Sequence, residues 1–145
     1  MSDGGDKTRA TRQAQLDKQA RSKLDTPMPR KFDMAVVGVS FTPYYPHNLW
    51  ELETQAFDAE AKGEKLAAII VRDPNNPYDS NACQVHVPAL GEAGFIGYIT
   101  KPVAARLAPT IDNGVVWDGH VSYLKINPDH PERPGIEITL EAINT

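Results

Sequence analysis

A single cysteine, Cys83, stands among 145 residues, so no internal disulfide can staple the chain, and a lone thiol fits a reducing compartment. No apolar run approaches the roughly 18 residues of a membrane span, and the N-terminus lacks the apolar stretch of a secretory signal. A cytoplasmic location without membrane attachment is the expectation. There is no GxxxxGKS/T loop and no GxGxxG after a strand, which removes two common phosphate cradles. The four histidines, His47, His86, His120 and His130, are scattered without metal-ligand spacing. The oxygen-rich stretch from Asp73 resembles a calcium loop only superficially, with Tyr78 at the sixth place instead of glycine and Gln84 at the twelfth instead of glutamate. No catalytic constellation emerges, so an enzyme is not expected, and neither is a metal or organic cofactor.

What is present begins with a divided charge. The formal net charge of −4 averages two unlike segments. Residues 1–32 carry eight Lys/Arg against four Asp, a net +4, and residues 33–145 carry seven Lys/Arg against fifteen Asp/Glu, a net −8. The basic segment holds few large apolar residues beyond Leu16, Leu24 and Met28. Residues 9–24 favour helix by propensity but form no apolar stripe wide enough to pack. Residues 1–32 therefore read as a disordered or conditionally helical tail ending at the stiff Pro27-Met28-Pro29 linker. It is either a plain solvated tail or an electrostatic arm for phosphates or an acidic partner. The remainder, 33–145, has the apolar content of one folded domain.

From Met34 the pattern becomes β. Strands are expected over 34–41, 65–72, 82–87, 94–99, 115–126 and 136–142. Alternation places Cys83, Val85 and Val87 on one face. It also turns Ile136, Ile138 and Leu140 inward, with Glu137, Thr139 and Glu141 outward. A helix over about 48–62 presents Leu49, Leu52, Ala56 and Ala59. A second opens at Thr100-Lys101-Pro102, a capable N-cap followed by a first-turn proline. Val103, Leu107 and Ile111 form its apolar face, Pro109 should bend or shorten it, and Asn113-Gly114 stops it. His86 and His120 fall on strands as surface or cross-strand polar groups. Six short strands and two helices suggest a mainly β fold, a small, partly open barrel with helical covers.

The most distinctive stretch is Arg72-Asp-Pro-Asn-Asn-Pro-Tyr-Asp-Ser-Asn-Ala82. Two prolines restrict its backbone, and Asn75, Asn76, Asp79 and Asn81 can cap it through side-chain hydrogen bonds. Such a loop holds Tyr78 and Asp79 in fixed positions at a strand end. This loop, together with Val36-Val-Gly-Val39 before it and Ile96-Gly-Tyr-Ile99, Lys101 and the Val103-to-Pro109 helix after it, resembles the HIRAN domain family. The likeness spans roughly 34–142, and its three blocks keep their order and spacing.

The resemblance implies an OB-like β-barrel that grips the 3′-hydroxyl end of single-stranded DNA. The family occurs as an N-terminal module of SWI/SNF-type DNA-remodelling helicases and in standalone bacterial and phage versions. By position, Tyr78 and Asp79 match the residues that meet the terminal nucleotide, the aspartate facing the 3′-hydroxyl. Lys101 matches a lysine near phosphate, and Tyr123 is the best match for an aromatic that stacks on a base. Where the family's first strand supplies an arginine and an aromatic, this chain has Ser40 and Phe41. Tyr98 stands where the DNA-binding form has histidine. The candidate DNA-binding set is thus Phe41, Tyr78, Asp79, Tyr98, Lys101 and Tyr123.

Two consequences pull apart. Exposed rings stack on bases whatever their sequence, and a carboxylate accepts a terminal hydroxyl's proton while repelling a terminal phosphate. Recognition of single-stranded DNA ends, in the service of DNA repair or alongside a helicase or nuclease, follows. Yet a −8 body repels DNA, whose phosphates normally supply most non-specific affinity. A local patch built from Lys101, Arg106, Lys125 and Arg72, or the +4 tail acting in cis, would offset that repulsion. The alternative is a protein-interaction module on the same fold with lost or altered DNA binding. The segment Pro43-Tyr-Tyr-Pro-His-Asn-Leu-Trp50 is longer than the family's usual connection. Its Tyr44, Tyr45 and Trp50 are expected in core or rim packing rather than in the pocket.

Overall fold

The computed structural model describes residues 28–144. Its strands are β1 (Lys31–Val37), β2 (Ala67–Arg72), β3 (Cys83–His86), β4 (Phe95–Ile99), β5 (Trp117–Lys125) and β6 (Gly135–Ala142). Helix α1 (His47–Ala61) lies between β1 and β2, and α2 (Lys101–Asp112) between β4 and β5. Short 3-10 segments occupy Val39–Phe41 and Pro88–Gly94. The strands form an antiparallel ring in the order β1-β4-β3-β2-β5-β6. Sequence alone suggested a partly open barrel; here β1 closes the ring by pairing with two strands. Its first five residues, Lys31 to Ala35, pair with β6, and Val36 and Val37 cross to β4.

That crossing makes a seam only two residue pairs wide, Val36 with Ile99 and Val37 with Tyr98. It depends on Gly97, where an added Cβ would stand 2.7 Å from both Val36 Cγ1 and the Val37 carbonyl oxygen. Neither neighbour can retreat without opening the ring. Gly97→Ala is therefore expected to cost about 1–3 kcal/mol or more, read as a lower urea midpoint; an unchanged midpoint would contradict this seam.

The core follows from alternation. Cys83, Val85 and Val87 are fully buried, as are Ile138 and Leu140, with Ile136 nearly so. Burial raises the Cys83 thiol's pKa and keeps it protonated. Leu49 and Leu52 of α1 and Ala104, Leu107 and Ala108 of α2 complete the cluster. Two expectations need correction. The first strand does not run to Phe41, because Gly38 adopts a left-handed backbone (φ +68°) and turns the chain into the 3-10 segment. Pro109 does not shorten α2, which continues to Asp112. Thr139 faces outward as the alternation predicts, yet it is covered there, where its hydroxyl donates to Asp33 Oδ1 on the neighbouring strand. No helix of the described residues is long and apolar enough to cross a membrane.

Buried Asn48 ties the entry to α1 onto the barrel. Its Nδ2 donates to Thr42 Oγ1 (2.9 Å) and to the Phe95 carbonyl (3.1 Å). Tyr45 packs against the core, and the Tyr44 hydroxyl reaches Glu92 Oε2 at 3.4 Å.

Candidate functional site

The loop joining β2 to β3 is braced at every turn. The Asp73 and Ala82 backbones close it (N to O, 2.9 Å). Asn76 Oδ1 accepts from the backbone N–H of Tyr78 (2.9 Å) and of Asp79 (3.2 Å). Asp79 Oδ1 accepts from the Asn81 N–H at 2.9 Å, which leaves Oδ2 for a ligand. These Asx-type bonds are what the spacing of Asn and Asp promised. A second brace was invisible in sequence: the Arg72 guanidinium donates to the carbonyls of Ala82 (2.8 Å) and Ser80 (3.1 Å). It also grips Asp112 at the end of α2 through two bonds of 2.9 and 3.2 Å.

The Arg72–Asp112 bond raises the arginine's pKa and holds the Asp112 carboxyl below its usual range. Arg72 thus serves the loop, and it cannot be counted with cations awaiting phosphate. Arg72→Gln is expected to speed hydrogen exchange of the Tyr78, Asp79 and Asn81 amides by about tenfold or more, since hydrogen bonds to a charged group are worth roughly 1.5–3 kcal/mol. Exchange at the wild-type rate would contradict the brace.

An open groove of about 780 Å³ lies against this loop, lined by Phe41, Asp73, Asn75, Asn76, Pro77, Tyr78, Asp79, Ala82, Tyr98, Ile99 and Lys101. Three pieces of chain converge on it. The turn at Gly38 projects Phe41, which is 84% exposed, and the loop presents Tyr78, which is 89% exposed. The end of β4 and the first turn of α2 bring Tyr98 and Lys101. An added Cβ at Gly38 would stand 3.2 Å from the Tyr98 ring and 3.9 Å from that of Phe41, so both rings crowd the same turn. The Tyr98 hydroxyl has a raised pKa, from burial first and then from the Asp73 carboxylate. Thr100 makes no side-chain cap to α2, and a helix N-terminus favours nearby negative charge.

Five of the six residues singled out from sequence, Phe41, Tyr78, Asp79, Tyr98 and Lys101, therefore line one groove. The sixth, Tyr123 on β5, lines another, of about 620 Å³, between β5 and α1, together with Phe57, Glu60 and Lys125. In the strand ring β5 lies opposite β4, which separates the two grooves. Tyr44, Tyr45, Trp50 and Ser40 line neither. Among the groove's lining residues Lys101 is the only cation, against the carboxylates of Asp73 and Asp79.

Beside the groove, the outer faces of β3 and β4 carry a row of rings. His86 stacks on Phe95 (centroids 5.1 Å apart, planes 9° from parallel), and Phe95 meets Tyr98 edge-on at 5.2 Å. Burial lowers the pKa of His86; it also lowers that of His120, with Lys65 and Lys31 adding to the effect. The unfolded chain takes up these protons near pH 6.5, before the folded chain does. Stability from both groups is thus complete above that pH and lost as pH falls through the lower folded values. The urea midpoint should drop between about pH 7.5 and 5.5, and less so in His86→Phe; a flat profile in the wild type would contradict this.

A closed six-stranded barrel, bearing an aromatic groove where a braced interstrand loop meets a helix start, defines a small barrel-type binding module. The model of the HIRAN domain matches residues 32–140. The chain belongs to the HIRAN domain family, a family of nucleic-acid-binding modules. Among solved structures it is similar to the HIRAN domain of human HLTF, at 22% identity and a TM-score of 0.52, over 77% of this chain and 74% of that one. It is also similar to a protein from Lactobacillus plantarum, at 21% identity and a TM-score of 0.50, over 77% of this chain and 98% of that one. Both likenesses concern the fold. No curated protein sequence matches the chain.

Proposed function

We propose that this domain binds the 3′-hydroxyl end of single-stranded DNA and performs no catalytic step of its own. The observation that carries the reading is the pair of almost fully exposed rings, Phe41 and Tyr78, in one groove with Asp79. Exposing two large rings to water is unfavourable unless they have a partner, and a base offers each a flat π-face. Asp79, one oxygen held by the Asn81 N–H, keeps its other oxygen for the terminal hydroxyl. Lys101, at the positive end of α2, offsets the penultimate phosphate. Tyr123 stands apart from this set and is not needed by it.

The groove's charge sets the salt behaviour. With one lysine and two carboxylates, the barrel itself makes few phosphate contacts, and long-range attraction falls to the tail. Residues 1–27 contain six Lys/Arg and four Asp, a net +2. In anisotropy titrations of a fluorescent oligonucleotide with a free 3′-OH, the full chain should bind saturably at low salt. Removing residues 1–27 should weaken binding and flatten the slope of log K against log salt by roughly 0.7 for each phosphate the tail had met. Absence of saturable binding by the full chain would overturn the proposal. The rival reading, a protein-interaction module, draws on the same excess of carboxylates. A single stoichiometric partner captured regardless of nuclease treatment, by a chain that binds no oligonucleotide, would favour it.

A further inference from the structure

The groove does not end at Tyr98. Residues directly opposite one another on neighbouring strands share a face, and the registers here define two rows across the outside of four strands. One row runs Val37–Tyr98–Gln84–Val71, and the other runs Phe95–His86–Ile69. No residue in either row carries a formal charge at neutral pH, for burial keeps the His86 imidazole neutral. The aliphatic members are unusually open: Val37 is 41%, Val71 37% and Ile69 46% exposed. The rest of the barrel differs, since the first part of β1 together with β5 and β6 exposes Lys31, Asp33, Asp118, Glu137 and Glu141. One half of the barrel therefore has a charged outer face and the other an uncharged one centred on three rings.

This face is wired to the groove. Tyr98 belongs to both. Asp73, a groove residue, accepts from Gln84 Nε2 (3.4 Å), and Gln84 Oε1 in turn accepts from His86 Nε2–H (2.8 Å). That chain of bonds fixes the imidazole's tautomer and its angle, keeping it parallel to Phe95.

We propose that the outer face of β2, β3 and β4 is a base-stacking track that receives the nucleotides 5′ of the one seated in the groove. The inference rests on reading the groove as a nucleic-acid end site. Bases laid against a sheet turn their phosphates to water, so the uncharged face contributes through stacking while phosphate attraction comes from elsewhere in the chain. Successive rings 5.1 and 5.2 Å apart supply it in a line leading from the groove. A peptide strand could not join this sheet by main-chain pairing, because β2, β3 and β4 are each paired on both edges. Barrels of this size commonly cover about 4–16 nucleotides of single strand, more than one groove accommodates.

The test is affinity against length, using the full chain with oligothymidylates of two and eight nucleotides, each with a free 3′-OH. The wild type should bind the octamer about tenfold or more tighter than the dimer. Ile69→Glu, at an exposed position that tolerates a charge, should weaken the octamer about fivefold or more and leave the dimer within about twofold. His86→Ala should act in the same direction, and His86→Phe, which keeps the ring, should restore octamer binding. A dimer that binds as tightly as the octamer, or a length ratio untouched by both disruptive variants, would overturn the track while leaving the groove's role standing. Self-association of the free protein that Ile69→Glu abolishes would assign the face to a second copy and also overturn it. If neither oligonucleotide binds, the groove reading and the track fall together.

Discussion

A strand ending in a 3′-phosphate should bind about 10- to 100-fold more weakly than the same strand ending in a hydroxyl. The size follows from the chemistry at Asp79. A hydrogen bond between a neutral donor and a carboxylate is worth roughly 1.5–3 kcal/mol, and each 1.4 kcal/mol is tenfold in affinity. Replacing the donor by a phosphate removes that bond and sets two anions against each other. Asp79 cannot swing away, because one of its oxygens is held by the Asn81 N–H and its own N–H is held by Asn76 Oδ1. Asp79→Asn keeps the shape and removes the charge. It should lower hydroxyl-end affinity and raise phosphate-end affinity, bringing the two within about threefold of one another. Paired titrations at low salt read both numbers. A wild type indifferent to the end group would show that Asp79 has no part in recognition.

The second large effect belongs to the exposed rings. Loss of an aromatic platform removes about 1–3 kcal/mol of stacking per base, so Tyr78→Ala should weaken binding roughly 5- to 150-fold. Phe41→Ala should act similarly. Both side chains stand almost entirely in solvent, so neither truncation opens a cavity, and the unfolding midpoint should stay within about 0.5 kcal/mol of the wild type. This combination separates a binding role from a structural one. Tyr44→Ala supplies the control, since Tyr44 lies outside the groove and bonds to Glu92. If Tyr44→Ala proved as damaging as Tyr78→Ala, the groove would be the wrong site.

Much of this was legible in the sequence because its causes are local. Alternation alone placed Cys83, Val85 and Val87 inside. Asx-type bonding from Asn76 and Asp79 is a matter of two or three residues, and it announced a rigid loop. The family resemblance then brought Phe41, Tyr78, Asp79, Tyr98 and Lys101 into one set, and they line one groove. What escaped was long-range. Arg72 reads as a spare cation until Asp112, forty residues later, is seen beside it. Tyr123 stands 22 residues after Lys101, on the strand that follows α2, and the ring order sets β5 across the barrel from β4; no sequence pattern announces strand order. The outer face of β2, β3 and β4 was hidden for the same reason, since its rows exist only once four strands are in register.

The most direct measurement is a two-dimensional amide NMR titration of the isotopically labelled chain with a short 3′-OH oligonucleotide. The account predicts that the largest shifts fall on Phe41, Tyr78, Asp79, Tyr98 and Lys101, with little change at Ser122, Tyr123 and Leu124. Shifts centred on Tyr123 and α1, or none at saturating oligonucleotide, would contradict it.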